Sequence, residues 1–136
     1  WQCPFEEIPV GKGRKLRDGN KTAVLSIGPI GYKVRKVLQT IPDVAHYDMR
    51  FVKPLDEELL REIGERYKTI ITVENGVRNG GMGSAVTEWL QDNGYETHVV
   101  RMGLPDEFVE HGCVSELMKL VGLDEESIAE QINRLI

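Results

Sequence analysis

Apolar and polar positions along the chain fall into two alternating periods. Thr22-Ala-Val-Leu-Ser-Ile27 is a short, nearly apolar run of strand length. Ile30, Val34, Val37, Leu38 and Ile41 follow at helical spacing, and Pro42 ends that helix. Val44 to Met49 predicts the next strand. Asp56 stands where a helix cap belongs, with Glu57 and Glu58 suited to the positive helix start and Leu59, Leu60, Ile63 and Tyr67 as the apolar stripe. Thr69-Ile-Ile-Thr-Val73 is β-branched throughout, the mark of a strand buried on both faces. Met82, Ala85, Val86, Trp89 and Leu90 predict a further helix, stopped near Asn93-Gly94, and Thr97 to Met102 the last strand. Two short helices close the chain. Leu117, Leu120 and Val121 mark one; Ile128, Ile132 and Leu135 mark the other, behind Asp124 as its cap.

Strand–helix alternation with short loops requires parallel strands joined by right-handed crossovers. Ahead of it, Lys12 to Leu16 alternates weakly and Asp18-Gly19 supplies a turn. A first strand is therefore expected to fold back antiparallel on Thr22–Ile27, at an edge of the sheet. The expected architecture is an α/β three-layer sandwich: a five-stranded mixed sheet, four strands parallel and one antiparallel edge strand, with helices on both faces. Residues 1–10, with Pro4, Pro9 and no periodicity, read as an arm or linker, and residues 11–136 as the domain.

Composition adds little to that picture. A chain of 136 residues, 40% hydrophobic and 29% charged, is ordinary for one globular domain. No apolar run approaches the roughly 20 residues that span a bilayer, and no secretory signal pattern is visible. The chain starts at Trp1 and is expected to be a piece of something longer. The charge distribution says more. Residues 1–54 carry ten Lys/Arg and five Asp/Glu, a net of +5; residues 55–136 carry seven and seventeen, a net of −10. Lys12, Arg14, Lys15, Arg17 and Lys21 lie along the expected edge strand, without interleaved aromatic residues for base stacking, so nucleic acid is not an expected partner. Cys3 and Cys113 show no C-x-x-C pattern and read as free thiols of a cytoplasmic protein.

In an open parallel sheet, ligands bind beyond the carboxyl ends of the strands. Four segments are expected to meet there: Gly28-Pro-Ile-Gly31, Arg50 to Pro54, Glu74 to Gly83 and Gly103 to Asp106. Gly80-Gly81-Met82-Gly83-Ser84 opens a helix and could offer backbone N–H groups to a phosphate. It matches neither G-x-G-x-x-G nor the P-loop, and close helix–sheet packing is the preferred reading. Arg50 and Lys53 could bind an anion; they could equally hold the loop through Asp48 or pair across an interface, and a structural or interface role is preferred. Glu74, at the end of a buried strand, could serve as an acid or base, but more often such a group accepts N–H bonds from the next loop. His111 is a loop histidine with Cys113 two residues on, and no nucleophile motif accompanies them. His46 and His98 fall within strand patterns, and no residue set has metal-site spacing.

Three stretches together carry a resemblance: Asp48-Met-Arg-Phe-Val-Lys-Pro-Leu-Asp56, then Thr72-Val-Glu-Asn with Gly80-Gly-Met-Gly-Ser-Ala-Val86, then Gly103-Leu-Pro-Asp-Glu-Phe-Val-Glu-His-Gly112. With Ile8-Pro-Val-Gly-Lys-Gly13 before and Gly122-Leu-Asp124 behind, the chain resembles the C-terminal domain of the 1-deoxy-D-xylulose-5-phosphate synthase family, within the transketolase group. Asn75-Gly76 and Cys113 depart from the family pattern, which has an acidic residue then Asn at the first place and Asp at the second. The resemblance implies a three-domain thiamine-diphosphate and Mg²⁺ enzyme that joins pyruvate to glyceraldehyde 3-phosphate with loss of CO₂. It implies a homodimer in which this domain abuts the pyrimidine-binding domain. In such a family the cofactor and metal motifs lie in the preceding domains, so no catalytic, cofactor-binding or metal residue is carried over to this chain. Arg50, Lys53, Glu74, Gly80, Gly81 and His111 stand as candidate interface or anion contacts, and part of the basic segment, including Arg14, is expected to face the preceding domains. Two other readings stay open: the equivalent domain of a 2-oxoacid dehydrogenase β subunit, and a free-standing anion- or nucleotide-binding module using Gly28, Gly31, Gly80 and Gly81.

Overall fold

A computed structural model describes residues 4–136. Trp1 and Cys3, and with them the first part of the expected arm, lie outside the described residues. In chain order the elements are β1 (Arg14–Arg17), β2 (Thr22–Ile27), α1 (Ile30–Val37), β3 (Val44–Asp48), α2 (Glu57–Arg66), β4 (Thr69–Val77), α3 (Met82–Asp92), β5 (His98–Leu104), α4 (Val114–Leu120) and α5 (Glu125–Asn133). They form one five-stranded sheet in the order β1-β3-β2-β4-β5. β3, β2, β4 and β5 are parallel, and β1 is antiparallel at the edge.

The neighbour of β1 differs from the expected hairpin. β1 pairs with β3, Arg14 opposite Asp48 and Lys15 opposite Tyr47, and does not touch β2 as a partner. Burial decides this. Residues 22–26 of β2 are fully enclosed, so that strand belongs at the centre between two parallel neighbours, whereas the charged β1 tolerates water on its outer side. The Asp18-Gly19 turn steps across β3 instead of reversing onto β2: Asn20 and Lys21 N–H both donate to the Asp43 carbonyl at 3.1 Å. Tyr67 Oη donates to the Gly19 carbonyl at 2.8 Å and fixes the step from below.

The alternating faces of the buried strands build two cores. Ala23, Leu25, Ala45, Tyr47 and Ile70 pack against Leu60 and Ile63 of α2 and Met82, Val86 and Leu90 of α3. Val24, Val44, Ile71 and Val73 pack on the other side against Ile30 and Val34 of α1 and Ile128 and Ile132 of α5. Helix α2 starts where Asp56 accepts from Leu59 N–H, and α5 where Asp124 accepts from Ser127 N–H, as the sequence pattern anticipates. α4 departs from its expected stripe: it buries no residue, and Leu120 is 75% exposed because only Met118 and Val121 reach the α1–α5 core.

Much of the uneven charge is answered inside the chain. Lys12 pairs with Glu58 and Asp56, Lys15 with Asp18 and Glu62, and Lys36 with Glu125. No helix of the described residues is long and apolar enough to cross a membrane.

Candidate functional site

The carboxyl end of the parallel strands gathers the four segments named above, and its two glycine-rich turns differ in chemistry. After β2, Gly28 takes φ +74°, a conformation open to glycine, and Pro29 begins α1 with no side-chain cap and no acidic residue in the first turn. From Asn75, in the last part of β4, the chain runs exposed to Gly80 and enters α3 at Gly81–Met82.

Glu74 occupies the start of α3. Its side chain is buried, and its two carboxylate oxygens each accept one backbone N–H: Met82 N–H to Oε2 and Gly83 N–H to Oε1, both 2.8 Å. This is the place where a free phosphate would bind, and the chain fills it with its own anion. Gly81 is required by this arrangement: a Cβ there would meet Glu74 Oε2 and lie 2.5 Å from the Val77 carbonyl. A second set of bonds closes the loop. Ser84 Oγ donates to the Arg78 carbonyl at 3.0 Å and accepts from Gly80 N–H at 3.0 Å and from Arg101 Nη1 at 2.7 Å. Gly80 and Gly81 therefore serve a packed turn. Beneath it, the buried Thr72 hydroxyl has no hydrogen-bond partner, and the Cα of Gly83 lies over it with no room for a Cβ.

The β3–α2 loop is built around Asp48. Arg14 Nε lies 3.4 Å and Arg50 Nε 3.9 Å from the same oxygen, Oδ2, while Oδ1 accepts the Arg50 N–H at 3.2 Å. Arg50 holds φ +57°, a backbone conformation that a non-glycine residue adopts only under local constraint, here the turn bond to Asp48. Lys53 precedes Pro54 through a cis peptide bond and is exposed. Asp56 caps α2 and also accepts from Gly13 N–H at 3.0 Å, tying the entry of the chain to this loop.

One buried polar pair has no counterpart in the sequence reading. Ser26 Oγ lies 2.8 Å from His46 Nε2, both side chains within 1% of full burial. Burial pushes the imidazole down to about 4; Asp48 opposes this, while Arg17 and Arg35 reinforce it. Burial favours the neutral imidazole, and the Ser26–His46 bond fastens β2 to β3. His98, expected on the sheet, sits exposed at the start of β5. His111 is exposed in the 105–113 segment beside Glu110, and Cys113 precedes α4, where a hydrogen bond with Ser115 lowers its thiol below the ordinary value.

Among the described residues no group of three His, Cys, Asp or Glu could hold a metal ion. The start of α3 is taken by Glu74, so its Met82 and Gly83 N–H groups are not offered to a diphosphate. The geometry of the described residues holds the strand-end segments in place and presents charged surface.

Comparison with known proteins agrees with this architecture. The pattern of the transketolase C-terminal domain family matches residues 11–128. The chain is 56% identical over 138 aligned positions to the 1-deoxy-D-xylulose-5-phosphate synthase of Parabacteroides distasonis, covering 98% of this chain and 22% of that protein. It is 52% identical over 139 positions to the synthase of the same name from Bacteroides fragilis, again with 98% and 22% covered. The chain thus spans about a fifth of the length of the curated relatives it matches. Among solved structures, a split-gene transketolase described as an inactive beta4 tetramer superposes with a TM-score of 0.87 at 26% identity, over 96% of this chain and 44% of that one. The fold, the strand-end loops and these likenesses converge: the chain belongs to the transketolase C-terminal domain family.

Proposed function

We propose that this chain is the C-terminal domain of a 1-deoxy-D-xylulose-5-phosphate synthase and that its own role is structural and interfacial. The longer protein then joins pyruvate to glyceraldehyde 3-phosphate with thiamine diphosphate and Mg²⁺ held in its preceding domains. Residues 1–10 are the arm from those domains, residues 11–136 are the folded unit, and the whole works in the cytoplasm as a homodimer. The 56% identity over nearly the entire chain supports the enzyme assignment. The carboxylate of Glu74 seated on the start of α3 carries the assignment of the domain's role, because the site where a cofactor diphosphate would enter is already neutralised. Lys53 and His111 are exposed and Arg50 is half-buried beside Asp48, and these three serve as contacts for neighbouring parts of the enzyme.

The test pairs two proteins. The protein from the full gene, with pyruvate, glyceraldehyde 3-phosphate, thiamine diphosphate and Mg²⁺, should form 1-deoxy-D-xylulose 5-phosphate. The 136-residue chain under the same conditions should release no CO₂, and calorimetry should show no heat of cofactor binding. Decarboxylation by the chain alone would overturn the structural role, and a full-length protein that decarboxylates pyruvate without forming the sugar phosphate would overturn the enzyme assignment.

A further inference from the structure

On its α1 side the sheet is only partly roofed at the β1 edge. Val34 and Val37 of α1 pack into the core over β2 and β3, while Leu16 of β1 stays 41% exposed. Between β1, β3 and the end of α1 lies a hollow of 470 Å³, lined by Leu16, Arg17, Arg35, Leu38, Gln39 and His46. Its size falls in the ~300–1,000 Å³ range of clefts that take small molecules. None of the glycine-rich strand-end turns contributes to it.

The charge of this hollow is one-sided. Two guanidinium groups line it and no carboxylate does. Neither Arg17 nor Arg35 forms an ion pair among the described residues. Asp48, two residues beyond His46 on β3, is engaged by Arg14 and Arg50 and so does not neutralise them. Arg17 Nη1 donates to the Leu38 carbonyl, which fixes the arginine against the last turn of α1 and offsets the negative end of that helix. Both arginines act on the His46 imidazole and lower its basicity, so the two charges converge on the same wall.

His46 gives that wall a buried polar group. The residue is 1% exposed, and Nε2 is taken by Ser26 Oγ at 2.8 Å. Nδ1 has no hydrogen-bond partner among the described residues, yet the one fully enclosed side-chain polar atom without a partner is Thr72 Oγ1. Nδ1 therefore keeps access to the hollow that His46 lines. With the Ser26 hydroxyl donating to Nε2, the ring proton sits on Nδ1 and is available to an acceptor. Gln39, one turn beyond Arg35, adds a carboxamide donor to the same wall.

We propose that this hollow binds a phosphomonoester, its phosphate held by Arg17, Arg35, Gln39 and the His46 Nδ1–H, and its short apolar body lying against Leu16 and Leu38. Two unpaired cations match a phosphate charge of about −1.5 to −2, and the planar guanidinium fork suits its oxygens. A carboxylate leaves one cation uncompensated, and bare phosphate leaves both leucines wet. The proposal is independent of the synthase assignment, which turnover decides.

The 136-residue chain, labelled with ¹⁵N, is titrated at constant ionic strength with n-butyl phosphate, inorganic phosphate and butanoate. Butyl phosphate should give saturable shifts at the Arg17, Gln39 and His46 side chains, with a Kd of about 1 mM or below. Inorganic phosphate should bind about 5-fold more weakly, for want of the apolar contact, and butanoate about 10-fold more weakly. Arg35→Gln changes an exposed side chain, should keep the dispersed spectrum of the folded chain, and should weaken butyl phosphate about 10-fold. Lys36→Gln removes the neighbouring cation, which pairs with Glu125 outside the hollow, and should leave the affinity unchanged. In the protein from the full gene, saturated with thiamine diphosphate and Mg²⁺, butyl phosphate should raise the thermal unfolding midpoint of the wild type more than that of Arg35→Gln. Absence of saturable shifts at these side chains overturns the proposal. Equal losses in Arg35→Gln and Lys36→Gln also overturn it, since they show a diffuse field and no site. Equal midpoint shifts in the two full-length proteins overturn it for the longer protein.

Discussion

Gly28-Pro29-Ile30-Gly31 and Gly80-Gly81-Met82-Gly83 are both glycine-rich turns that leave a parallel strand and open a helix, yet their helix starts are electrostatic opposites. The start of α3 holds an internal carboxylate on two N–H groups and is shut by the Ser84–Arg101 bonds. The start of α1 has no acid and no side-chain cap, and it borders a groove lined by arginines. Glycine content therefore does not identify an anion site. What decides is whether a buried acid in the preceding strand reaches the helix first.

The largest test of this contrast is Glu74→Ala. It leaves two buried N–H groups without acceptors and should cost about 3–4 kcal/mol, read by urea denaturation. A loss below about 1 kcal/mol would show that the carboxylate does not hold the turn. Gly81→Ala comes next. Its φ of −83° suits alanine, so the cost is steric, about 2–3 kcal/mol, from the methyl against Glu74 and the Val77 carbonyl. Stability equal to wild type would mean that the turn relaxes freely.

Beneath the start of α1 lies Ser26–His46, whose titration sharpens the other side of the comparison. The imidazole is lowered from 6.5 to about 4 in the folded protein, so its neutral form is favoured there. Its contribution is complete above about pH 6.5 and is lost as pH falls toward 4, where the unfolded chain binds the proton more readily. About 2–3 kcal/mol should disappear across that window, and His46→Gln should flatten this part of the stability profile. A wild-type profile level between these limits would contradict the burial argument. The smallest effect is expected for Gly28→Ala. No atom lies within 4 Å of the added methyl, and only the positive φ opposes it, at about 1 kcal/mol by thermal unfolding.

What the sequence made legible depends on range. The caps at Asp56 and Asp124 act over three residues, so their side chains could be placed from local pattern alone. The parallel strands follow from the alternation of periods. The partner of β1 does not, because a two-residue turn signal cannot know that β2 will be enclosed on both faces and taken by β3 and β4. Glu74 was legible as a choice between acid–base work and capping; its reach of eight and nine residues to Met82 and Gly83 depends on where the exposed 75–80 segment turns back. Ser26 and His46 stand twenty residues apart and meet only once the β2–β3 register is set, a fact no spacing rule contains. α4 misled for the opposite reason: an apolar stripe promises burial, yet only Met118 and Val121 of this region reach the core.

The antiparallel edge strand has a consequence for how the molecule keeps company at high concentration. β1 is four residues long, carries Arg14, Lys15 and Arg17, and shifts register between Lys15 and Arg17. A short, irregular, positively charged rim is a poor template for an incoming strand, and two such rims repel one another. The sheet is thereby protected from growing sideways into fibrillar stacks on this flank.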